Sequence, residues 1–114
     1  VESPEPRKQY YSKPQQRVDA ELMRIFKRRL EELLGTRGAY LLDGEMNILG
    51  KVPTKELRNA LRGLPEVEYI IMDGPVTQDL IKTAEMGRIS FIVATSAIGS
   101  STEVNIVTAD ELRL

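Results

Sequence analysis

The chain has 114 residues, of which 41% are hydrophobic and 29% charged, proportions typical of one ordinary globular domain. It contains no cysteine and no histidine, which excludes a disulfide scaffold, a Cys/His zinc site, a thiol nucleophile and a histidine-based catalytic triad. The net charge is -1, so any nucleic-acid contact must be local. The apolar runs are too short to span a bilayer, and we expect a cytoplasmic protein.

Residues 1–14 are predicted to form a linker or a docking arm. They carry three prolines among polar residues, together with the adjacent pair Tyr10 and Tyr11. Disorder and docking against another surface both remain open for this segment. Because the chain starts without methionine in a Pro-rich stretch, we expect it to be a piece of a longer protein. Residues 15–114 are expected to form a single α/β domain.

The first predicted elements are a helix and a hairpin. From about residue 15 to Leu34 the apolar residues recur at helical spacing, and Gly35 ends the predicted helix. Strands are predicted at residues 39–43 and 46–52. An Asp-Gly pair lies between them, which is typical of a tight antiparallel turn.

Two further helices are predicted around a third strand. The first of them begins after Pro53, carries one apolar stripe and ends at Gly63. Residues 67–72 are predicted to form the strand. Thr77 is a typical N-cap for the other helix, which is predicted to end at Gly87.

The remaining elements complete an α/β pattern. Residues 89–95 are almost continuously apolar, as expected of a strand covered on both faces. A hydroxyl-rich loop at 96–102 leads to a last strand at 104–108. The order predicts a three-layer α/β fold, with a mostly parallel sheet of about five strands, an N-terminal helix and two crossover helices.

Four short runs carry a resemblance to a known family. They are LLDG, GKVP, MDGPVTQ and DEL, at residues 41–44, 50–53, 72–78 and 110–112. In this order and spacing they resemble the C-terminal domain of the archaeal DnaG-type DNA primases. The resemblance covers about residues 38–112 and rests on analogy with that family.

The resemblance implies an accessory role for this chain. In the family, a Toprim catalytic domain that binds magnesium (Mg²⁺) precedes the C-terminal domain, and the protein makes RNA primers. The family is also similar to a protein attached to the RNA-degrading exosome through the cap subunit that carries an OB-fold domain. The implied partners are therefore the remainder of the primase and that cap subunit, with RNA contacted weakly at most. The resemblance implies no catalytic residue, metal ligand or cofactor within this piece.

The acidic residues leave an enzymatic alternative open. Toprim chemistry needs an Asp-x-Asp pair, and the chain has none. Asp43 and Asp73 each precede glycine at a predicted strand end, and we interpret them as turn residues. The alternative is a small free-standing, metal-dependent nuclease or a nucleotide-binding enzyme. The nuclease would require Asp43 and Asp73, with or without Asp79, to converge on one metal ion at the sheet edge where ligands usually bind.

A weak anion site is predicted at the start of the third helix. Backbone N–H groups and the helix dipole favour phosphate there. Asp79 lies in the first turn and competes with an anion for the same field. The loop at 96–102 either adds hydroxyl donors or is a plain connection. The predicted site residues are Gly74, Val76, Thr77 and Gln78.

The first helix is predicted to dock on a partner. Its apolar arc is wider than one packed face needs, and Arg29 lies within that arc. The other basic residues read as a solvated face, with pairs such as Arg28 and Glu32 four residues apart. The alternative is a wholly buried helix from which Arg29 reaches solvent. The predicted docking residues are Leu22, Phe26, Arg29 and Leu33.

Overall fold

The computed structural model describes residues 20–114. The predicted arm and the start of the predicted first helix lie outside these described residues. The helices are α1 (Ala20–Leu33), α2 (Leu57–Arg62, preceded by a 3-10 turn at Thr54–Glu56) and α3 (Gln78–Met86). The strands are β1 (Gly38–Leu42), β2 (Ile48–Pro53), β3 (Tyr69–Met72), β4 (Pro75–Val76), β5 (Phe91–Ala94), β6 (Ser96–Ala97) and β7 (Asn105–Thr108).

Five strands form the main sheet, in the order β2-β1-β3-β5-β7. Strands β3, β5 and β7 are parallel, whereas β1 runs antiparallel to both of its neighbours, β2 and β3. The predicted hairpin is therefore confirmed in β1 and β2, but residues 43–47 form a five-residue connection in place of the predicted tight turn. The predicted α/β class, with about five strands, an N-terminal helix and two further helices, is also confirmed.

Helices cover both faces of this sheet. Neighbouring residues of the buried strands point to opposite sides, so each of these strands contributes side chains to both faces. On one face Ile71 packs with Phe26 and Leu30 of α1. On the other face Ile70 packs with Leu57 of α2 and Ile81 of α3. All six side chains are at most 1% exposed, so the two cores enclose the sheet as the middle of three layers.

A second, two-stranded sheet was not predicted from the sequence. Strand β4 pairs in parallel with β6, with Pro75 opposite Ser96 and Val76 opposite Ala97. The segment 96–102, predicted as a loop, thus begins with a strand. Two residues are too few to show an alternating pattern, so this pairing arises only where the chain segments after β3 and β5 leave the main sheet side by side.

Candidate functional site

A pocket with both polar and apolar lining residues opens at one edge of the sheet. Strands β2 and β3 point the same way, because each is antiparallel to β1, so the segments that follow them begin at the same edge. Between these segments lies a cavity of about 290 Å³. Its polar lining residues are Thr54, Lys55, Arg58 and Thr77, with Gly74 beside them.

The chain reaches this pocket from β3 through a glycine turn. Gly74 has a φ of 150°, which a residue with a side chain rarely adopts. The side-chain oxygen of Thr77 then accepts a 3.3 Å hydrogen bond from the backbone N–H of Leu80. Thr77 is therefore the N-cap of α3, as predicted.

The other two predicted anion-site residues have structural contacts. The Val76 side chain is 0% exposed and lies in the core under α2 and α3. The Gln78 side chain contacts the backbone of Ser100 twice, donating to its carbonyl and accepting from its N–H, each at 3.3 Å. The structure therefore brings Gly74 and Thr77 into the pocket, and places Val76 and Gln78 outside its lining.

Two cations and one acid set the electrostatics of the pocket. Lys55 and Arg58 line it, and the Arg58 guanidinium lies 3.8 Å from the Asp79 carboxylate. Both partners of that pair are more than half exposed, so the attraction is weak and screened. Lysine, arginine and threonine side chains can together bind a phosphate-sized anion, while Asp79 opposes it.

Sequence reasoning missed Lys55 and Arg58. A signal for them was present, because both lie just after the Gly-Lys-Val-Pro run that ends β2. Segments that follow co-directional strands begin at one edge of a sheet. Applying that rule to β2 as well as to β3 would have placed these cations beside Thr77.

The two Asp-Gly aspartates lie at opposite edges of the sheet. Leu42, which precedes Asp43, pairs with Tyr69 at the start of β3, whereas Asp73 follows the end of β3. They cannot converge on one metal ion, because β1 is antiparallel to β3. The expectation that both Asp-Gly pairs lie at one ligand-binding edge is wrong, and so is the convergence that the nuclease alternative required.

Asp43 is instead occupied by its own turn. One carboxylate oxygen accepts hydrogen bonds from the backbone N–H groups of Glu45 (2.9 Å) and Asn47 (3.0 Å). The other oxygen accepts from the Asn47 side-chain amide at 3.2 Å. The bond from the Asn47 backbone is the main cause that holds the pKa of Asp43 below its ordinary value. The predicted turn role of Asp43 is confirmed.

Two general features of the described residues bear on chemistry. Across residues 20–114, no group of three or more acidic residues is arranged so that it could hold a metal ion. In that same part of the chain, none of the helices has the length and apolar character needed to cross a membrane.

The predicted docking residues of α1 divide into two pairs. Phe26 and Leu33 are 0% exposed and lie in the core between α1 and the sheet, so neither is accessible to a partner in this structure. Leu22 is partly buried against the same core. The Arg29 side chain is 28% exposed, so Leu22 and Arg29 are the members of the predicted set that a partner could reach.

Arg29 belongs to a small polar network on α1. Its guanidinium donates to both carboxylate oxygens of Glu32, at 3.1 and 3.2 Å. Glu32 also accepts a 3.0 Å hydrogen bond from the Tyr40 hydroxyl of β1. The bond from Tyr40, followed by the neighbouring Arg29, lowers the pKa of Glu32. Glu32 thus pairs with Arg29, three residues before it, whereas the sequence spacing had favoured Arg28.

One nitrogen of this network has no hydrogen-bond partner among residues 20–114. The Nε atom of Arg29 is buried and makes no hydrogen bond to the described residues. A cavity of about 310 Å³ lies beside it, lined by Glu21, Ile25, Arg28, Arg29 and Met46.

Comparison with known proteins places this fold in context. No protein-family profile matches the chain. The DNA primase DnaG of Staphylothermus marinus is 39% identical over 67 residues, which are 57% of this chain and 16% of that primase. The DnaG of Pyrobaculum neutrophilum is 36% identical over 68% of this chain and 19% of its own length. The DnaG of Pyrobaculum calidifontis is 30% identical over 105 residues, which are 88% of this chain and 26% of that protein.

These similarities recur in several archaeal primases and extend over 57 to 88% of this chain. This chain is related to a segment of the archaeal DnaG-type primases. The resemblance predicted from the four short runs is thus confirmed at the level of that family. The chain spans about a quarter or less of the length of each of these DnaG relatives, so their primase activity is a property of much longer proteins.

Proposed function

We propose that this chain is the C-terminal interaction module of an archaeal DnaG-like primase and is not itself catalytic. The observation that carries the proposal is its similarity to 16 to 26% of the length of DnaG primases. A segment of that size leaves room for a separate catalytic domain. In this proposal the parent protein synthesises RNA primers with a Toprim domain, and the magnesium ion is held there.

Support for a non-catalytic role comes from the hydrogen bonds of Asp43 and Asp73, the acidic residues that directly follow β1 and β3. Asp43 accepts three hydrogen bonds from the N–H groups of its own turn. Asp73, at the other edge of the sheet, accepts a hydrogen bond from the backbone N–H of Arg37. Both carboxylates therefore stabilise chain connections, which is a sufficient reason for their presence.

The proposed protein partners are the remainder of the primase chain and the exosome cap subunit that carries an OB-fold domain. The accessible part of α1, with Leu22 and Arg29, is the surface we propose for one of them. Weak RNA contact is proposed at the pocket that holds Lys55 and Arg58, because cations and hydroxyl groups bind phosphate. Neither partner requires an enzymatic group in this chain.

A co-elution experiment tests the interaction role. Purified chain is mixed with the cap subunit or with the primase remainder, treated with ribonuclease and run on a sizing column. The control is the cap subunit without its OB-fold domain. We expect stable co-elution with both intact partners and not with the control. If the chain elutes alone from both mixtures, the proposed interaction role is wrong.

A primer-synthesis and nuclease assay tests catalytic silence. We expect no turnover by the isolated chain with magnesium or manganese. Turnover that depends on metal and disappears in Asp43→Asn or Asp73→Asn would show that the chain is an enzyme.

A further inference from the structure

The pocket that Lys55 and Arg58 line has two walls of different chemical character. The first wall is the turn that begins α2, and its polar lining residues are Thr54, Lys55 and Arg58. The second wall is the segment from the end of β3 to the first turn of α3, and its apolar lining residues are Met72, Pro75 and Leu80. Within residues 20–114, no charged residue of this second wall lines the pocket. A ligand that fills the pocket therefore meets cations on one side and apolar groups on the other.

The cations of the first wall are available to a ligand. Lys55 and Arg58 are three residues apart on a helical turn, so their side chains lie on one face. In the part of the chain that the structure describes, Lys55 forms no ion pair within 4.0 Å. The ion pair between Arg58 and Asp79 is 3.8 Å long and more than half exposed on both sides, so solvent screens it. A phosphate group can replace this contact with a stronger, charge-assisted hydrogen bond.

The second wall offers an apolar surface with open space in front of it. Met72 and Leu80 are 4% and 6% exposed and form its base, whereas Pro75 is exposed. Beside them, no atom lies within 4 Å of the place that a Cβ of Gly74 would take. A glycine in such a position lets a ligand approach the backbone closely. The wall therefore has room for a flat apolar group.

The size of the pocket restricts the ligand to a small unit. Pockets for small molecules have volumes of about 300 to 1,000 Å³. At about 290 Å³ this pocket lies at the lower end of that range. Inorganic phosphate would contact the cations and leave the apolar wall uncovered. A nucleotide joins a phosphate to a base whose flat face is apolar, so it can contact both walls at once.

On the basis of the RNA contact in the proposed function, we propose that this pocket binds one nucleotide of single-stranded RNA. The phosphate lies at Lys55 and Arg58, and the face of the base packs against Pro75. Bases in a duplex are paired and stacked, whereas an unpaired base can turn outward and pack on a protein surface. Every base has such a face, so this contact selects single strands and not a particular sequence.

NMR titrations of the full chain with small probes test this site. The probes are adenosine monophosphate, inorganic phosphate, adenosine and an acetylated Glu-Glu dipeptide, each at the same pH and ionic strength. We expect the monophosphate to bind about tenfold more tightly than each of the others, because it alone buries apolar area in addition to its charge. The Met72 methyl signal should move with the monophosphate and not with inorganic phosphate, since Met72 belongs to the apolar wall.

Two variants separate the contributions of the walls. Pro75→Ala should lower the affinity for the monophosphate several-fold and leave that for inorganic phosphate unchanged. The matched control is Pro65→Ala, an exposed proline that follows α2 and lines a different groove, and it should change neither affinity. Lys55→Ala/Arg58→Ala should weaken the binding of both probes. A thermal melt shows whether each variant is folded, and the comparison of probes on the wild type decides the question even if Pro75→Ala unfolds.

Three outcomes would overturn the nucleotide site. Equal affinity for the monophosphate and for either inorganic phosphate or adenosine would show that one wall binds alone. Equal affinity for the acidic dipeptide would identify a protein segment as the ligand. Movement of other signals while those of residues 72–80 stay still would place the nucleotide elsewhere. None of these outcomes affects the co-elution experiment with ribonuclease-treated partners, so a failure of the interaction role is observed separately.

Discussion

The carboxylate of Asp73 accepts a 2.8 Å hydrogen bond from the backbone N–H of Arg37. Arg37 has a φ of 55°, a left-handed conformation that residues with side chains adopt infrequently. The carbonyl of Arg37 in turn accepts from the backbone N–H of Thr54 at 2.9 Å. Together these two hydrogen bonds connect Arg37, which follows α1, to the end of β3 and to the start of the segment that leads to α2.

We predict that Asp73→Ala lowers the free energy of unfolding by about 0.5 to 1.5 kcal/mol, because the exposed Arg37 N–H loses its carboxylate acceptor to water. Asp73→Asn should cost less, since an amide oxygen can still accept. The control is Asp79→Ala, which removes only an exposed ion pair and should cost about 0 to 1 kcal/mol. Urea denaturation measures all three. Equal losses for the two alanine variants would contradict the role given to Asp73.

Asp43 should make stability depend on pH. Its folded-state pKa is lowered, chiefly by the hydrogen bond from the Asn47 backbone. A lowered pKa contributes stability above the ordinary value of 3.8, and that contribution is lost as the pH falls through the folded-state value. Asp43→Asn should therefore be less stable than the wild type at pH 7, and the difference should shrink in strong acid.

Urea denaturation at a series of pH values checks this expectation. The control is Glu45→Gln, which changes an exposed acid on the same turn. Its difference from the wild type should vary less with pH than that of Asp43→Asn. A difference for Asp43→Asn that stays constant down to strong acid would show that the turn does not depend on the charged carboxylate.

The pocket lined by Lys55, Arg58 and Thr77 should bind phosphate weakly. In a phosphate titration followed by amide NMR, we expect the signals of residues 74–78 to move first. Lys55→Ala/Arg58→Ala should weaken the apparent affinity about tenfold, or by about 1.4 kcal/mol. Lys82→Ala, an exposed cation on α3, is the matched control and should have little effect. Movement of other signals while residues 74–78 stay still would contradict this site.

Arg29 should matter for association more than for folding. We predict that Arg29→Glu weakens binding to the primase remainder, because it replaces a partly exposed guanidinium with a second carboxylate beside Glu32. Arg28→Ala, an exposed change one residue away, should alter stability by about 0 to 1 kcal/mol at most and leave binding intact.

Calorimetric binding and a thermal melt, run side by side, decide the role of Arg29. Loss of binding with a folded domain supports docking through α1. If Arg29→Glu unfolds the domain, the residue is part of the core instead. If neither binding nor melting changes, α1 is not the docking element.

The sequence by itself determined the local structure and the family. The Asp-Gly pair gives a hairpin because its turn needs only neighbouring residues, and Asp43 supplies most of the hydrogen bonds itself. Thr77 caps α3 because a hydroxyl before a helix reaches a free amide within one turn. These features depend on contacts within a few residues, which a sequence pattern shows directly.

Only the tertiary structure decided which of these residues lie close together in space. Strand direction is set by long-range pairing, and the antiparallel insertion of β1 between β2 and β3 sends Asp43 and Asp73 to opposite edges. The same arrangement brings Lys55 and Arg58 to Thr77. In α1, the apolar arc could not show which residues are internal, because Phe26 is buried by rings from β3 and β5 that lie more than 40 residues away in the chain.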